Sequence, residues 1–350
     1  MKKNQIIKII CFCLCLLTVV GGLCRVFHYD RATMRNGVLT YSDLDKDTVD
    51  VVLIGTSGVN FAFIPGLAYD EYGITCYDLC IDGMKAWQVV NMMKYALTYQ
   101  NPKLFVLDAR PFISREDESW YETRSRYFID MFPMLSPFRF MGVNESLKYL
   151  SKLTDTGRFD MTYYFNVLRY HDMWQEDLDF DVVKTEYAYP FGFRVTKTQF
   201  RVQKIPATEY TAETAALDDY CQECLDAVLE FAEKKDLNIM FMNSPHYTSE
   251  NVLKKLNTFT AYLESKGIPF MNFCSEESEQ KYAFDLNTEF RDKSHTNYYG
   301  AQKFTRFLSE YLVNNYDLQN RSEDESCAYY ADAYKKLLKK VKSIEKSLKS

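Results

Sequence analysis

Short apolar runs alternate with longer stretches of helical periodicity, and this alternation constrains the fold more than anything else in the chain. Val51–Ile54 is a compact, mostly β-branched run that ends at Gly55-Thr56-Ser57-Gly58. A run apolar on both faces belongs to a buried parallel strand. A short helical stretch, Pro65–Tyr72, leads to a second strand over Ile74–Ile81, which Asp82-Gly83 breaks. Ala86–Tyr99 carries Val89, Val90, Met93, Ala96 and Leu97 at helical spacing and stops before Pro102. Leu104–Leu107 reads as a third strand, Ile239–Met242 as a fourth and Pro269–Phe273 as a fifth. Thr211–Lys235, Ser249–Lys266 and Asn297–Asn314 read as the helices around the last two. The sum is an α/β protein with a five-stranded parallel sheet, doubly wound in the flavodoxin-like order and covered on both faces.

Residues 110–210 do not alternate. They are aromatic and mixed, with Trp120, Phe128, Phe132, Phe138, Phe140, Tyr163, Tyr164, Trp174 and Phe191. An insertion after the third strand leaves the sheet at its carboxyl edge, where ligands bind, so the expectation is a cap over the site.

The N-terminus predicts a membrane anchor over residues 1–29. Lys2, Lys3 and Lys8 flank an apolar run, and Ile6–Leu23 holds 18 residues interrupted only by Lys8. At about 1.5 Å per residue it reaches roughly 27 Å, close to the hydrocarbon core of about 30 Å. Lysines on the N-terminal side keep that end cytoplasmic and export the rest. A cleavable signal fits less well, because Gly21-Gly22-Leu23-Cys24 is a poor small-residue cleavage site. The globular domain, residues 30–315, is therefore expected outside the cytoplasm. Residues 316–350 form a basic helical tail, read as a solvated face with a membrane-surface role as the alternative.

Composition excludes more than it assigns. A net charge of −6 argues against a nucleic-acid partner. The 10 cysteines include four in or beside the apolar run, and Cys221-x-x-Cys224 has no second pair at metal-ligand spacing. No metal and no cofactor are implied. The 27 Tyr and 25 Phe suit a glycan-stacking groove or a Tyr-rich core equally.

Two motifs carry chemistry. Asp292-Lys293-Ser294-His295 precedes a helix, and Asp and His three apart can turn to one side. The carboxylate then fixes the imidazole tautomer and leaves the other nitrogen as base. Ser57 follows the first strand at the sheet's functional edge, where a helix N-terminus offers N–H groups to an oxyanion. Gly83, after the second strand, allows a backbone N–H to approach a ligand closely. Arg110 is a candidate for an oxyanion or an acidic substrate group, or else for a pair with Asp108 or the cap; Asn243 is a further candidate for substrate binding, and His246 reads as a site-lining or a structural histidine. His171 reads as a site-lining or a structural histidine.

A strand ending in G-x-S, a Gly after the second strand, and D-x-x-H before the last helix together resemble the SGNH/GDSL hydrolases. The phrase from Phe290 to Ala301 looks closest to the anchored branch, which includes the D-alanyl-lipoteichoic-acid biosynthesis protein and alginate-type O-acetyltransferases. The resemblance spans about 51–108 and 211–314. It implies Ser57 as nucleophile, His295 as base, Asp292 as its orienter, and the N–H groups of Ser57 and Gly83 as the oxyanion hole. It also implies an extracytoplasmic serine esterase or O-acyltransferase acting on an envelope glycan or teichoic acid, with a membrane-bound acyltransferase as partner. The family often has an Asn after its third strand, and this chain has Leu107-Asp108-Ala109-Arg110 there. The alternative expectation is a noncatalytic envelope-assembly factor that holds glycan or a partner in the same cleft.

Overall fold

A computed structural model describes residues 3–27, 32–113, 118–154, 161–172 and 190–349. In chain order the first helices are α1 (Lys3–Val26) and α2 (Ala32–Ser42), followed by strand β1 (Val51–Gly55). Helices α3 (Ser57–Asn60) and α4 (Pro65–Tyr72) lead to β2 (Cys76–Cys80), α5 (Ala86–Tyr99) and β3 (Leu104–Asp108). Next come α6 (Arg110–Ile113), α7 (Glu118–Met131), α8 (Pro137–Thr154) and α9 (Asn166–Tyr170). The remainder is α10 (Asp219–Lys235), β4 (Ile239–Asn243), α11 (Glu250–Ser265), β5 (Phe270–Asn272) and α12 (Glu276–Tyr282). A hairpin of β6 (Phe290–Asp292) and β7 (His295–Thr296), then α13 (Tyr298–Asn315) and α14 (Tyr329–Lys349), complete the chain.

The chain divides into two units: Met1–Arg35 with Glu118–Glu186, and Asn36–Asp117 with Tyr187–Ser350. In the larger unit five strands form one sheet in the order β2-β1-β3-β4-β5, every neighbouring pair parallel. Their four main strands are buried at every position, as unbroken apolar runs require. On one face Val51, Leu53, Leu104, Val106, Met240 and Met242 pack with Phe304, Leu308 and Leu312 of α13. On the other, Phe241 meets Phe112 of α6 at 5.8 Å and Phe259 of α11 at 5.3 Å between ring centroids. Because β1, β3 and β4 are adjacent, the residues that follow them share one edge.

Two stretches are organised differently from the expectation. The stretch 110–210 is not one insertion: α7–α9 group with the N-terminal helix, whereas the segment from Pro190 onward belongs to the sheet unit. There Phe193, Val195 and Phe200 enter the core, since this part of the stretch alternates apolar with polar residues. Of the aromatics expected in a cap, Trp174 lies outside the described residues, as does the side chain of Trp120. The helix expected from Thr211 begins at Asp219. Residues 211–218 instead lie along α11, where Asn257 Nδ2 donates to the carbonyls of Thr211 and Glu213 and Thr258 Oγ1 to that of Ala215. The expected basic helical tail contains α14. Tyr334, Leu337, Val341 and Ile344 pack with Ile64, Leu67 and Tyr298, so its apolar stripe faces the domain and its lysines face solvent.

In the smaller unit α1 is long and apolar enough to cross a membrane, with 22 residues, Lys3–Cys24, at mean hydropathy 2.6. Helices α7–α9 have their own core of Ile129, Val143 and Tyr163. Arg139 is buried there, donating to the carbonyls of Ile129 (3.1 Å) and Tyr163 (2.9 Å) and to Asn166 Oδ1. Among the described residues no disulfide forms.

Candidate active site

Ser57 opens α3 directly after β1. As the first helical residue its N–H has no carbonyl one turn back to bond. Thr56 is the N-cap, and its hydroxyl oxygen accepts from Gly58 N–H at 3.2 Å. The Thr56 hydroxyl donates in turn to Asp108 Oδ2 at 2.7 Å, and Thr56 N–H donates to the same oxygen at 3.0 Å. Asp108 is fully buried and lies at the end of β3. It reaches Thr56 because Gly55 has no side chain: a Cβ there would stand 2.5 Å from that of Asp108.

Asp292 and His295 come from the β6–β7 hairpin, where they face each other across the antiparallel pair. Sequence pattern missed this hairpin, since three residues and two residues are too few to show a period. Asn297 ends the hairpin and caps α13, accepting from Tyr299 N–H and Gly300 N–H at 3.1 Å each. Ser57 Oγ lies 2.9 Å from His295 Nε2, and His295 Nδ1 lies 2.9 Å from Asp292 Oδ1 and 3.1 Å from Oδ2. The carboxylate fixes the proton on Nδ1, so Nε2 accepts from the serine hydroxyl.

Electrostatics match that assignment. Burial lowers the His295 pKa, opposed by the hydrogen bond to Asp292 and reinforced by Arg110 and Arg291. The shift favours the neutral imidazole. Burial acts to raise the Asp292 pKa, but His295, the Ser294 N–H and Arg291 outweigh it and bring it to about 2.

Residues that the motifs did not flag support the hairpin. Arg291 Nε lies 3.3 Å from Asp292 Oδ2, and its Nη1 donates to Gln199 Oε1 at 3.1 Å. Its guanidinium lies 3.8 Å from the Phe61 ring centroid, and that ring meets His295 edge-on at 5.5 Å. Gln199 Nε2 donates to the carbonyls of Phe61 and Thr296, tying α3 to β7. The one signal available for Asp108 was a carboxylate terminating an apolar strand. Nothing in the sequence pairs Gln199 with Phe61.

The remaining candidates separate. Arg110 stands at the serine: its guanidinium covers Gly58, and it donates to the Ser294 carbonyl at 3.1 Å and to Ser244 Oγ at 3.0 Å. Gly83 sits in the turn after β2 with φ +63°, and Ile81, two residues earlier, donates its N–H to Gly55 O at 2.9 Å. Asn243 turns instead to Asn272, with Nδ2 3.2 Å from its Oδ1. His246 turns into a cavity lined by Tyr210, Phe273, Cys274, Glu279 and Phe290. Burial lowers its pKa well below the usual range, and its Nδ1–H donates to Ser244 O at 2.8 Å. His171 is exposed on the smaller unit beside Asp172. No group of side chains suited to a metal ion occurs among the described residues. The chain matches no protein-family model and no curated protein.

Proposed function

We propose that this chain is a membrane-anchored, extracytoplasmic serine esterase or O-acyltransferase acting on a cell-envelope polysaccharide or teichoic acid. The observation that carries this reading is the continuous path Ser57 Oγ–His295 Nε2, His295 Nδ1–Asp292, with both links at 2.9 Å. The sheet order β2-β1-β3-β4-β5 supports a flavodoxin-like, doubly wound fold with its site at the carboxyl edge.

In the first half-reaction Ser57 Oγ attacks the acyl carbonyl carbon while its proton passes to His295 Nε2. The carbonyl π pair becomes an oxyanion that accepts from Ser57 N–H and Gly83 N–H. Collapse expels the alcohol, which takes the proton from Nε2, and leaves acyl-Ser57. Water or a sugar hydroxyl then reverses these steps, giving hydrolysis or transfer. A membrane-bound acyltransferase is the partner this chemistry fits, as a source of activated acyl groups.

The test is covalent. A phosphonate ester should add one equivalent of mass to the protein, mapped to Ser57 and absent from Ser57→Ala. Failure of the native protein to label or to turn over any acyl ester favours the second reading, a noncatalytic envelope-assembly factor. That reading draws on Asp108, which ends β3 in the stretch where the resembled family often has an Asn, and which is committed to Thr56.

A further inference from the structure

Among the described residues outside α1, seven large apolar side chains are exposed, and four of them, Leu135, Phe140, Met161 and Leu168, stand on the smaller unit. Single exposed apolar residues need no explanation, but a concentration on the smaller unit does. The stretch Phe132–Phe140 reads Phe-Pro-Met-Leu-Ser-Pro-Phe-Arg-Phe, and its one charge, Arg139, is turned inward. Nothing charged on this stretch holds water over Leu135, which is 69% exposed. Phe140 pairs with the part-buried Tyr164 at 6.2 Å between centroids.

The anchor helix indicates what covers this surface. Helix α9, which carries Leu168, packs against α1. The Met134 ε-methyl lies 3.8 Å from where a Cβ on Gly21 would stand, and Cys24 is buried. Gly21 and Cys24 fall at the C-terminal end of the 22-residue apolar span, at the depth where hydrocarbon meets headgroups. Aromatic residues with a polar handle favour that depth.

We propose that the loop between α7 and α8, together with Phe140, Met161 and Leu168, inserts into the outer membrane–water interface, so that lipid covers this surface. The inference rests on reading α1 as a membrane helix and is independent of the chemistry at Ser57. The contact would make the smaller unit a second attachment to the bilayer beside α1, in the manner of an interfacial apolar face.

Full-length protein in phosphatidylcholine vesicles tests it by fluorescence, each variant read as its difference from the native protein. Leu135→Trp is the probe, Leu14→Trp reports insertion of α1, and Val202→Trp, at an exposed position of the larger unit, reports solvent. Quenching by chain-brominated phosphatidylcholine should be at least about threefold stronger for Leu135→Trp than for Val202→Trp, with the reverse order for aqueous acrylamide. Equal responses from these two variants would overturn the proposal. So would a Leu135→Trp probe open to acrylamide in vesicles, the result expected if a protein partner covers the surface. An unquenched Leu14→Trp would overturn the anchor reading and this inference together, leaving the test at Ser57 untouched.

Discussion

Asp108 Oδ2 accepts two hydrogen bonds from Thr56, one from its N–H and one from its hydroxyl, and so fixes the residue immediately before Ser57. Asp108 ends β3 and Thr56 directly follows the adjacent strand β1, and the side chain crosses between them above Gly55. Its other oxygen accepts from Arg110 N–H at 3.1 Å. One buried carboxylate thus fixes both the residue before the serine and the backbone N–H of Arg110.

Asp108→Ala should therefore cost activity without removing any proposed reacting group. The buried Thr56 N–H and hydroxyl lose their acceptor, a penalty of about 1–3 kcal/mol in folding stability. The turn that aims Ser57 loosens as well, and kcat should fall roughly 10- to 100-fold. Ester turnover and urea unfolding of the same preparation check both parts. Unchanged kcat with lowered stability would make Asp108 a purely structural residue.

Ser57, His295 and Asp292 should behave as a unit. Ser57→Ala and His295→Ala are each expected to lower kcat on the order of 10⁴-fold or more, and the double variant little further. Asp292→Asn should fold normally yet lose much of the rate, because the amide favours the wrong imidazole tautomer. Additive losses in the double variant would show that the residues do not act together.

The pH profile follows from His295. The reaction needs a neutral imidazole, and burial holds its pKa below the ordinary 6.5. The acidic limb of kcat/KM should consequently lie below pH 6.5. Arg110→Gln removes a cation that lowers this pKa, so the limb should move toward higher pH. A limb unaffected by Arg110→Gln, in a variant that still turns over ester, would show that this cation does not act on His295.

Much of this arrangement was legible because parallel strands need long apolar runs and leave recognisable breaks. Val51–Ile54 and Gly55-Thr56-Ser57 located the serine edge, and Asp292-x-x-His295 located its partners. The packing of Arg291 on Phe61 and the link from Gln199 to Phe61 were not legible, because they join residues remote in sequence that share no period. The segment after Pro190 failed for a related reason. Phe191, Phe193 and Val195 look like part of an aromatic insertion until they are seen buried in the sheet unit.

Asp78 offers a test of the fold apart from the active site. It is the middle residue of β2, fully buried between Cys76 and Cys80 on the same face of the strand, and among the described residues neither carboxyl oxygen has a hydrogen-bond partner. Gly192 presses against its backbone and Cβ, leaving no room for a larger neighbour. Burial raises its pKa well above 3.8, so the folded protein keeps the proton over a range in which the unfolded chain releases it. The sign follows: stability associated with this group is fully present below the unfolded carboxyl pKa and is lost as pH rises toward the folded one. The loss amounts to about 1.4 kcal/mol per pH unit for one retained proton. Asp78→Asn removes the titration while keeping the shape. The stability difference between variant and native protein should then grow in the variant's favour by that slope as pH rises from about 5. Urea unfolding at several pH values reads it directly. Parallel pH dependences would mean that Asp78 is solvated or paired in the native state.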